Sequence, residues 1–319
     1  MAVGVGVVGY GAAGRQHAAA VEAASGLRLV GVVDTDPAAD TAALPRYASL
    51  SGLLQDPRVG LVSLCLPPGG RAEAARDVLR AGRALLVEKP PAMTVDELDS
   101  IVSLGTDRGL PTGVMLQHRM RLTDETETGL FRSPQVTAAL EVSRYRPVVH
   151  YHQRGWRGRP REALGGILAH LGIHYLDLAC QILGSPVEVR ETGRRERLPG
   201  IDSRIAALVR FESGAVLSMT VSAESSVRGE RLVVYGPDRR LVIEDGQVTL
   251  TTETGPRTSP VEPTPTLRRR VYEEMAHAIE NGSAPVACSL VRARGVTWLT
   301  EALAHRTEEA PCRTQETPC

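Results

Sequence analysis

The sequence predicts an α/β fold in two parts: a doubly wound parallel sheet over residues 1–117 and an antiparallel sheet built of hairpins over 118–307. Two observations carry the first part. Short apolar runs alternate with amphipathic stretches up to residue 116, and a glycine-rich turn, Gly9-Tyr10-Gly11-Ala12-Ala13-Gly14, stands directly between a β run and an alanine-rich helix. The second part rests on alternating segments beyond residue 117, separated by turn signals such as Ser213-Gly214 and Asp245-Gly246. A chain of 319 residues exceeds what one core usually holds, so two domains are expected.

Taken in order, residues 2–9 read as a strand, 12–25 as a helix stopped by Gly26, and 27–34 as a second strand. After a less regular stretch, 61–66 form a strand ended by Pro67 and Pro68. Residues 71–81 then place Ala72, Ala75, Val78 and Leu79 on one helical face before Gly82. Residues 84–88 read as a buried strand cut by Pro90 and Pro91. Thr94 with Glu97 makes a capping-box start to a helix running to about Arg108, and 114–116 supply one more strand. In the second half a strand at 135–145 and a helix at 164–183 precede strands at 186–192, 204–211, 215–223, 230–235, 239–244 and 247–252. A Pro- and Thr-rich loop at 254–266, helices at 268–281 and 289–307, and a disordered tail at 308–319 complete the expectation.

Composition narrows the function. The 37 basic and 37 acidic residues balance, whereas nucleic-acid and membrane-surface proteins rest on a basic excess. No apolar run is long enough to span a bilayer, and the apolar start lacks the basic n-region of an export signal. Five cysteines, an odd number without CxxC spacing, fit reduced thiols, so a cytoplasmic location is expected.

The glycine turn has the spacing a pyrophosphate needs: one glycine for the tight turn, one for close backbone approach, one for helix–strand packing. Asp34 ends the second strand twenty residues after Gly14, where a carboxylate accepts hydrogen bonds from an adenosine ribose. Thr35 and Asp36 follow it rather than an arginine, so a 2′-phosphate is expected to meet carboxylates and no cation. The expected cofactor is NAD.

Among the 37 basic residues only Lys89 is lysine, in a chain that writes arginine elsewhere. A guanidinium is permanently charged and planar, whereas an amine is compact and loses its proton when desolvated, so Lys89 marks a place where arginine does not serve. Glu88-Lys89-Pro90 falls at the C-terminal end of a parallel strand, the edge where open α/β sheets bind ligands.

Together the GYGAAG start, the CLPP strand end, VEKP and the later GGILAHLGIHYLDL segment resemble the Gfo/Idh/MocA oxidoreductase family, from residue 2 to about 305. The resemblance implies an N-terminal Rossmann dinucleotide-binding domain plus a C-terminal α+β domain with a large open antiparallel sheet. Such a sheet is often used for oligomerisation, and a homodimer or homotetramer is expected. It implies that Lys89 contacts substrate and nicotinamide ribose, that His174 exchanges a proton with the reacting hydroxyl, and that Pro67 and Glu88 belong to the cofactor site. His118, Trp156, Arg157 and His170 are then expected beside the substrate. The implied activity is an NAD-dependent hydride transfer at a secondary alcohol or ketone of a sugar, an aminosugar, free or nucleotide-linked, or a cyclitol. A C=N or C=C reductase and a non-catalytic dinucleotide-sensing regulator are the alternatives.

Two positions depart from the family pattern: His170 stands where many members have aspartate, and Arg71 where many have histidine. His170 and His174, four apart, are expected to share a proton. With no HExxH glutamate, no metal is expected. Asp177 shares a helix face with His174, where it orients the ring or plays a structural part. His150 and His152 read as solvated strand residues, with a place near the substrate mouth, which the resemblance implies, as the alternative. Arg154, Arg157, Arg159 and Arg161 around Trp156 read as a solvated loop, with a nucleotide-sugar phosphate as the alternative, and His17 as packing by the cofactor site.

Overall fold

Val3–Val8 (β1) is buried from Gly4 onward, as a central parallel strand covered on both faces must be. In the computed structural model, which describes residues 2–304 except 37, 38, 40, 42, 43, 124–128, 153 and 154, this strand sits at the middle of a six-stranded sheet. The expected tail at 308–319 and Arg154 lie outside the described residues. Helix α1 (Ala12–Ala23) follows, then β2 (Leu27–Val33), β3 (Arg46–Tyr47), α2 (Leu50–Leu54) and β4 (Val59–Leu64). Next come α3 (Arg71–Arg80), β5 (Ala84–Val87), α4 (Val95–Asp107) and β6 (Thr112–Val114). The strands are all parallel in the order β3-β2-β1-β4-β5-β6, so the winding reverses between β1 and β4 and opens a crevice at their C-terminal ends.

Local chemistry explains the boundaries. The Thr94 side chain accepts from Glu97 N at 3.2 Å, and Glu97 Oε2 accepts from Met93 N at 2.9 Å, so the start of α4 is capped from both directions. Gly26 and Gly82 carry φ of +74° and +73° just past α1 and α3. β3 and α2 fall in the stretch that read as irregular. β6 ends two residues earlier than expected because the chain turns at Val114, whose carbonyl accepts from Leu116 N, into a 3-10 turn at Gln117–Arg121.

The second sheet has eight strands: β7 (Thr137–Ser143), β8 (Pro186–Leu198), β9 (Ile201–Phe211), β10 (Val216–Ser222), β11 (Gly229–Tyr235), β12 (Arg240–Glu244), β13 (Gln247–Thr252) and β14 (Gly255–Thr258). Their order is β14-β13-β12-β11-β7-β10-β9-β8. The expectation of hairpins throughout needs one correction: β7 inserts between the sequential strands β10 and β11 and pairs with β10 in parallel. A second correction is β14, which occupies the expected loop as an edge strand, where Pro256 costs no ladder bond. Alternating burial along β7 turns Ala138, Leu140 and Val142 toward Tyr175, Leu176 and Ala179 of α5 (Ile173–Leu183), itself preceded by a π turn at Leu168–Gly172. The opposite face exposes Leu208, Val216 and Tyr235.

Helices α6 (Thr264–Asn281) and α7 (Arg294–Ala304) close the described chain. α6 returns to the first sheet: its Leu267, Val271, Tyr272 and Met275 share a core with Val5, Val21, Leu61 and Leu86.

Candidate active site

The crevice between β1 and β4 opens into a cavity of about 930 Å³. One wall is the glycine turn. Gly9 has φ +87°, and a Cβ there would fall 2.8 Å from Cys65 O; a Cβ on Gly14 would fall 2.0 Å from Gly9 O. Bare backbone at both places lets α1 begin flush against the turn. Gly11, its N-cap, supplies no side-chain cap, so the first N–H groups of α1 face the cavity beside Ala12 and Ala13. Tyr10 and Gly14 do not line the cavity; the Tyr10 side chain is buried, and its N–H donates to Asp34 Oδ2 at 2.5 Å.

Asp34 lies at the far end of this wall, its Oδ1 accepting from Asp36 N at 2.8 Å. A carboxylate has about four acceptor sites, so two backbone donors leave room for a ribose diol. The expectation that no cation stands here is corrected: Arg46 donates to the carbonyls of Asp34 and Asp36 at 2.8 and 2.7 Å. These residues fit a dinucleotide, with the pyrophosphate at the α1 N-terminus and the adenosine ribose at Asp34.

The opposite wall is built on the end of β5. Glu88 Oε2 accepts from Lys89 N at 2.9 Å, and Glu88 Oε1 accepts from His17 Nε2 at 2.9 Å. His17 Nδ1 meets Ser63 Oγ and Tyr272 OH, both at 2.8 Å. Burial opposes charge on His17, but Cys65, Tyr272 and Glu88 outweigh it and raise the imidazole well above its ordinary pKa. Burial also opposes charge on Glu88, yet His17, Lys89 and Arg71 hold its pKa at about 2. The result is a buried ion pair that fixes the Glu88-Lys89 backbone. Lys89 Nζ donates to His170 O at 2.7 Å, and burial, aided by Arg157 and Arg71 against the attraction of Glu88, brings the ammonium down to about 8. Pro67, Trp156, Arg157, His170 and His174 line the same cavity.

His174 stacks on His118, ring centroids 4.7 Å apart and planes at 24°. Burial, then His118 and Lys89, keep His174 well below its ordinary pKa, and burial with Arg121 and Arg144 takes His118 down to about 3. Both rings are held neutral. A neutral imidazole beside an amine that titrates near 8 is a working pair for moving a hydroxyl proton.

Family models match both halves of the chain: an oxidoreductase family with an NAD-binding Rossmann fold over residues 3–116, and a GFO/IDH/MocA C-terminal domain over 135–242. The chain belongs to the Gfo/Idh/MocA family. Inositol 2-dehydrogenase of Rhizobium meliloti is 26% identical over 254 residues, covering 76% of this chain and 73% of that protein. An uncharacterised protein of Saccharomyces cerevisiae is 26% identical over 217 residues, covering 62% of this chain but only 58% of its own length. A solved levoglucosan dehydrogenase with NADH and levoglucosan superposes with a TM-score of 0.82 at 18% identity, covering 95% of this chain and 96% of that one.

Within this Gfo/Idh/MocA chain the departing positions acquire physical roles. Arg71 is buried and donates to Glu88 O at 2.7 Å, and also to Leu66 O and Pro90 O, so it ties the two loops at the cavity floor together. The proton expected to be shared by His170 and His174 finds another arrangement. His170 lies in the π turn with its ring edge-on to Trp156, centroids 5.6 Å apart, and the ring against His174 is His118. Burial and Lys89 keep His170 well below its ordinary pKa.

Asp177 does not orient His174. It accepts from Arg119 Nη2 at 2.6 Å and Nε at 2.7 Å, both side chains fully buried, and is a brace between α5 and the turn after β6. His150 lies in a helical turn, Val149–His152, rather than a strand; it lines the cavity and meets Arg157 Nη1 at 3.1 Å. Arg157 also lies over the Trp156 ring, so this arginine belongs to the site rather than to a solvated loop. Arg159 is exposed and pairs with Glu162. Sequence reading missed Gln16, Gln117 and Arg268, which line the cavity, and Arg268 Nη2 donates to Gln16 Oε1 at 2.9 Å. Among the described residues no three His, Cys, Asp or Glu are grouped to hold a metal, and no helix is long and apolar enough to cross a membrane.

Proposed function

We propose that the protein is an NAD-dependent dehydrogenase that moves a hydride between nicotinamide and a secondary alcohol or ketone of a sugar, aminosugar or cyclitol. The observation that supports this reading most is that Lys89 and His174 line one cavity with the glycine turn and Asp34. Bound NAD supplies the hydride acceptor. His174 takes the hydroxyl proton, for which its neutral state suits it. Lys89 uses one N–H on His170 O, and its remaining donors hold the substrate oxygen as charge develops there. Trp156 offers a flat apolar surface beside the substrate, and Arg157 a donor at its edge.

Asp34 supports NAD over NADP because its carboxylate repels a 2′-phosphate, while Arg46 beside it sets how strong that preference is. The uncovered face of the second sheet supports a homodimer or homotetramer, since Leu208, Val216 and Tyr235 would otherwise stay in water. Free Cys65, Cys180 and Cys288 suit a reducing, cytoplasmic setting. The test is the reduction of NAD, followed by absorbance, across sugars, aminosugars, nucleotide sugars and cyclitols. Turnover of one class identifies the substrate; binding of NAD without turnover of any compound rejects the dehydrogenase.

A further inference from the structure

Behind His174 lies a second, smaller cavity of about 170 Å³, which meets the first at Gln117, His170 and His174, side chains that line both. Among the described residues, Arg121, Arg144, Arg146 and Arg228 line it together with two carboxylates, Glu230 and Asp245. Glu230 is already engaged in the wall. It accepts from Arg228 Nη2 at 3.0 Å and from Tyr175 OH at 2.9 Å, and it pairs with Arg144. Asp245 Oδ1 accepts from Glu230 N at 3.2 Å.

Arg121 is in a different position. Its Nη2 donates to Glu262 O at 3.1 Å, while Nε and Nη1 are shut off from solvent and have no acceptor among the described residues. Among the described residues Arg144 Nε is in the same condition. Buried donors on a charged group are costly to leave unpaired, and a bound anion would supply the missing acceptors. The volume is well under the roughly 300–1,000 Å³ of a whole-ligand pocket, so it suits one substituent rather than a second nucleotide.

We propose that this cavity receives an anionic group of the substrate, a carboxylate or a phosphate, so that the enzyme acts on an acidic sugar whose reacting hydroxyl lies at Lys89 and His174. The proposal rests on the dehydrogenase reading above. An unpaired N–H of the Arg121 guanidinium suits one oxygen of a carboxylate or phosphate, and Arg228 at the exposed rim steers it inward.

Calorimetry on the NAD-loaded protein tests it with D-glucose, D-galactose and D-mannose, each beside its uronate and its 6-phosphate. At least one acid should bind tenfold or more tightly than its neutral parent. Arg121→Leu and Arg228→Leu should each erase that preference while NAD affinity and the thermal midpoint hold; Arg228 is exposed enough that its variant folds whatever becomes of Arg121→Leu. Preference for uronates identifies a carboxylate and preference for 6-phosphates a phosphate, and either supports the proposal. Equal binding of acids and neutral parents overturns it, as does a preference that survives in Arg228→Leu and in folded Arg121→Leu. Inorganic phosphate that binds without any preference among the sugars overturns it in favour of an independent anion site. Tight binding of an acid with no reduction of NAD counts against the dehydrogenase, and not against the cavity.

Discussion

The imidazoles of His118 and His174 stack with centroids 4.7 Å apart, although 56 residues separate them in the chain. Two rings so close resist double protonation, and burial resists even the first charge. The base therefore stays available well below the ordinary imidazole range. The acid limb of the kcat/KM profile is expected below the ordinary imidazole range, and His118→Asp, which puts an anion beside His174, should move it upward. An acid limb at the same pH in wild type and variant would remove His118 from this role.

The same histidines make stability depend on pH. His118, His170 and His174 have lowered pKa values in the folded state, so below about pH 6.5 the unfolded chain binds more protons than the folded one. Their contribution is complete above that pH and is lost as pH falls toward their folded values. His17 is raised and acts in reverse: its contribution is complete below about pH 6.5 and fades as pH rises through its folded value. Three groups against one predict a thermal midpoint several degrees lower at pH 5 than at pH 7.5, on a scale of roughly 2–4 °C per kcal/mol. A midpoint that rises on acidification would contradict this.

Lys89→Met should leave NAD affinity within a few-fold and slow turnover by roughly 100-fold, the size of a lost proton-transfer or electrostatic group. Since Lys89 loses its proton near pH 8, the wild-type profile should fall on its alkaline side near that value. Lys89→Arg should fail too, because a fork cannot replace one Nζ at 2.7 Å from His170 O among Arg71 and Arg157. Steady-state kinetics of the two variants decides it, and a fully active arginine variant would refute the assignment.

NAD should bind at least tenfold more tightly than NADP by calorimetry. Asp34→Ser should narrow the gap by removing the repelling carboxylate while Arg46 stays on the carbonyls of residues 34 and 36. Adding Arg46→Ala should reopen it. If Asp34→Ser leaves the ratio unchanged, discrimination lies elsewhere.

Removing one member of the buried Arg119–Asp177 pair leaves an uncompensated charge, so Asp177→Ala should cost about 3–5 kcal/mol of stability in chemical denaturation. The fraction that folds should keep a near-normal kcat at 15 °C. A large loss of kcat with unchanged stability would restore Asp177 to the chemistry.

In solution the chain is expected as a homodimer or homotetramer by light scattering. Leu208→Glu with Val216→Glu, both on the open sheet face, should yield a 34.2 kDa species. A wild type that is already monomeric would reject this.

What was legible in the sequence was local. The glycine turn, Asp34, the capping box and Glu88-Lys89-Pro90 each declare themselves within a few residues, because turn, cap and strand end are set by neighbours along the chain. What was not legible depends on distant partners. β3, with two residues, and β14, with four, are too short to show a period and exist because a neighbouring strand offers a ladder. The spacing of four between His170 and His174 assumes α geometry, which the π turn at Leu168–Gly172 breaks. Arg119 finds Asp177 58 positions on, and Gln16 finds Arg268 252 positions on, beyond any periodicity.

Helix α6 roofs the first sheet, with Tyr272 reaching His17 and Ser63 beneath the cofactor wall. A ribosome releases β6 about 160 residues before it releases Met275. At a synthesis rate of roughly 5–20 residues per second, that is an interval on the order of 10–30 s. Throughout it, Val5, Leu61 and Leu86 lack the apolar cover that α6 brings, and His17 lacks one of its partners. The nascent chain therefore presents a sheet face covered only in part, by α1, just when a holdase chaperone could grip it, and the dinucleotide crevice, among the earliest parts translated, is among the last to be completed.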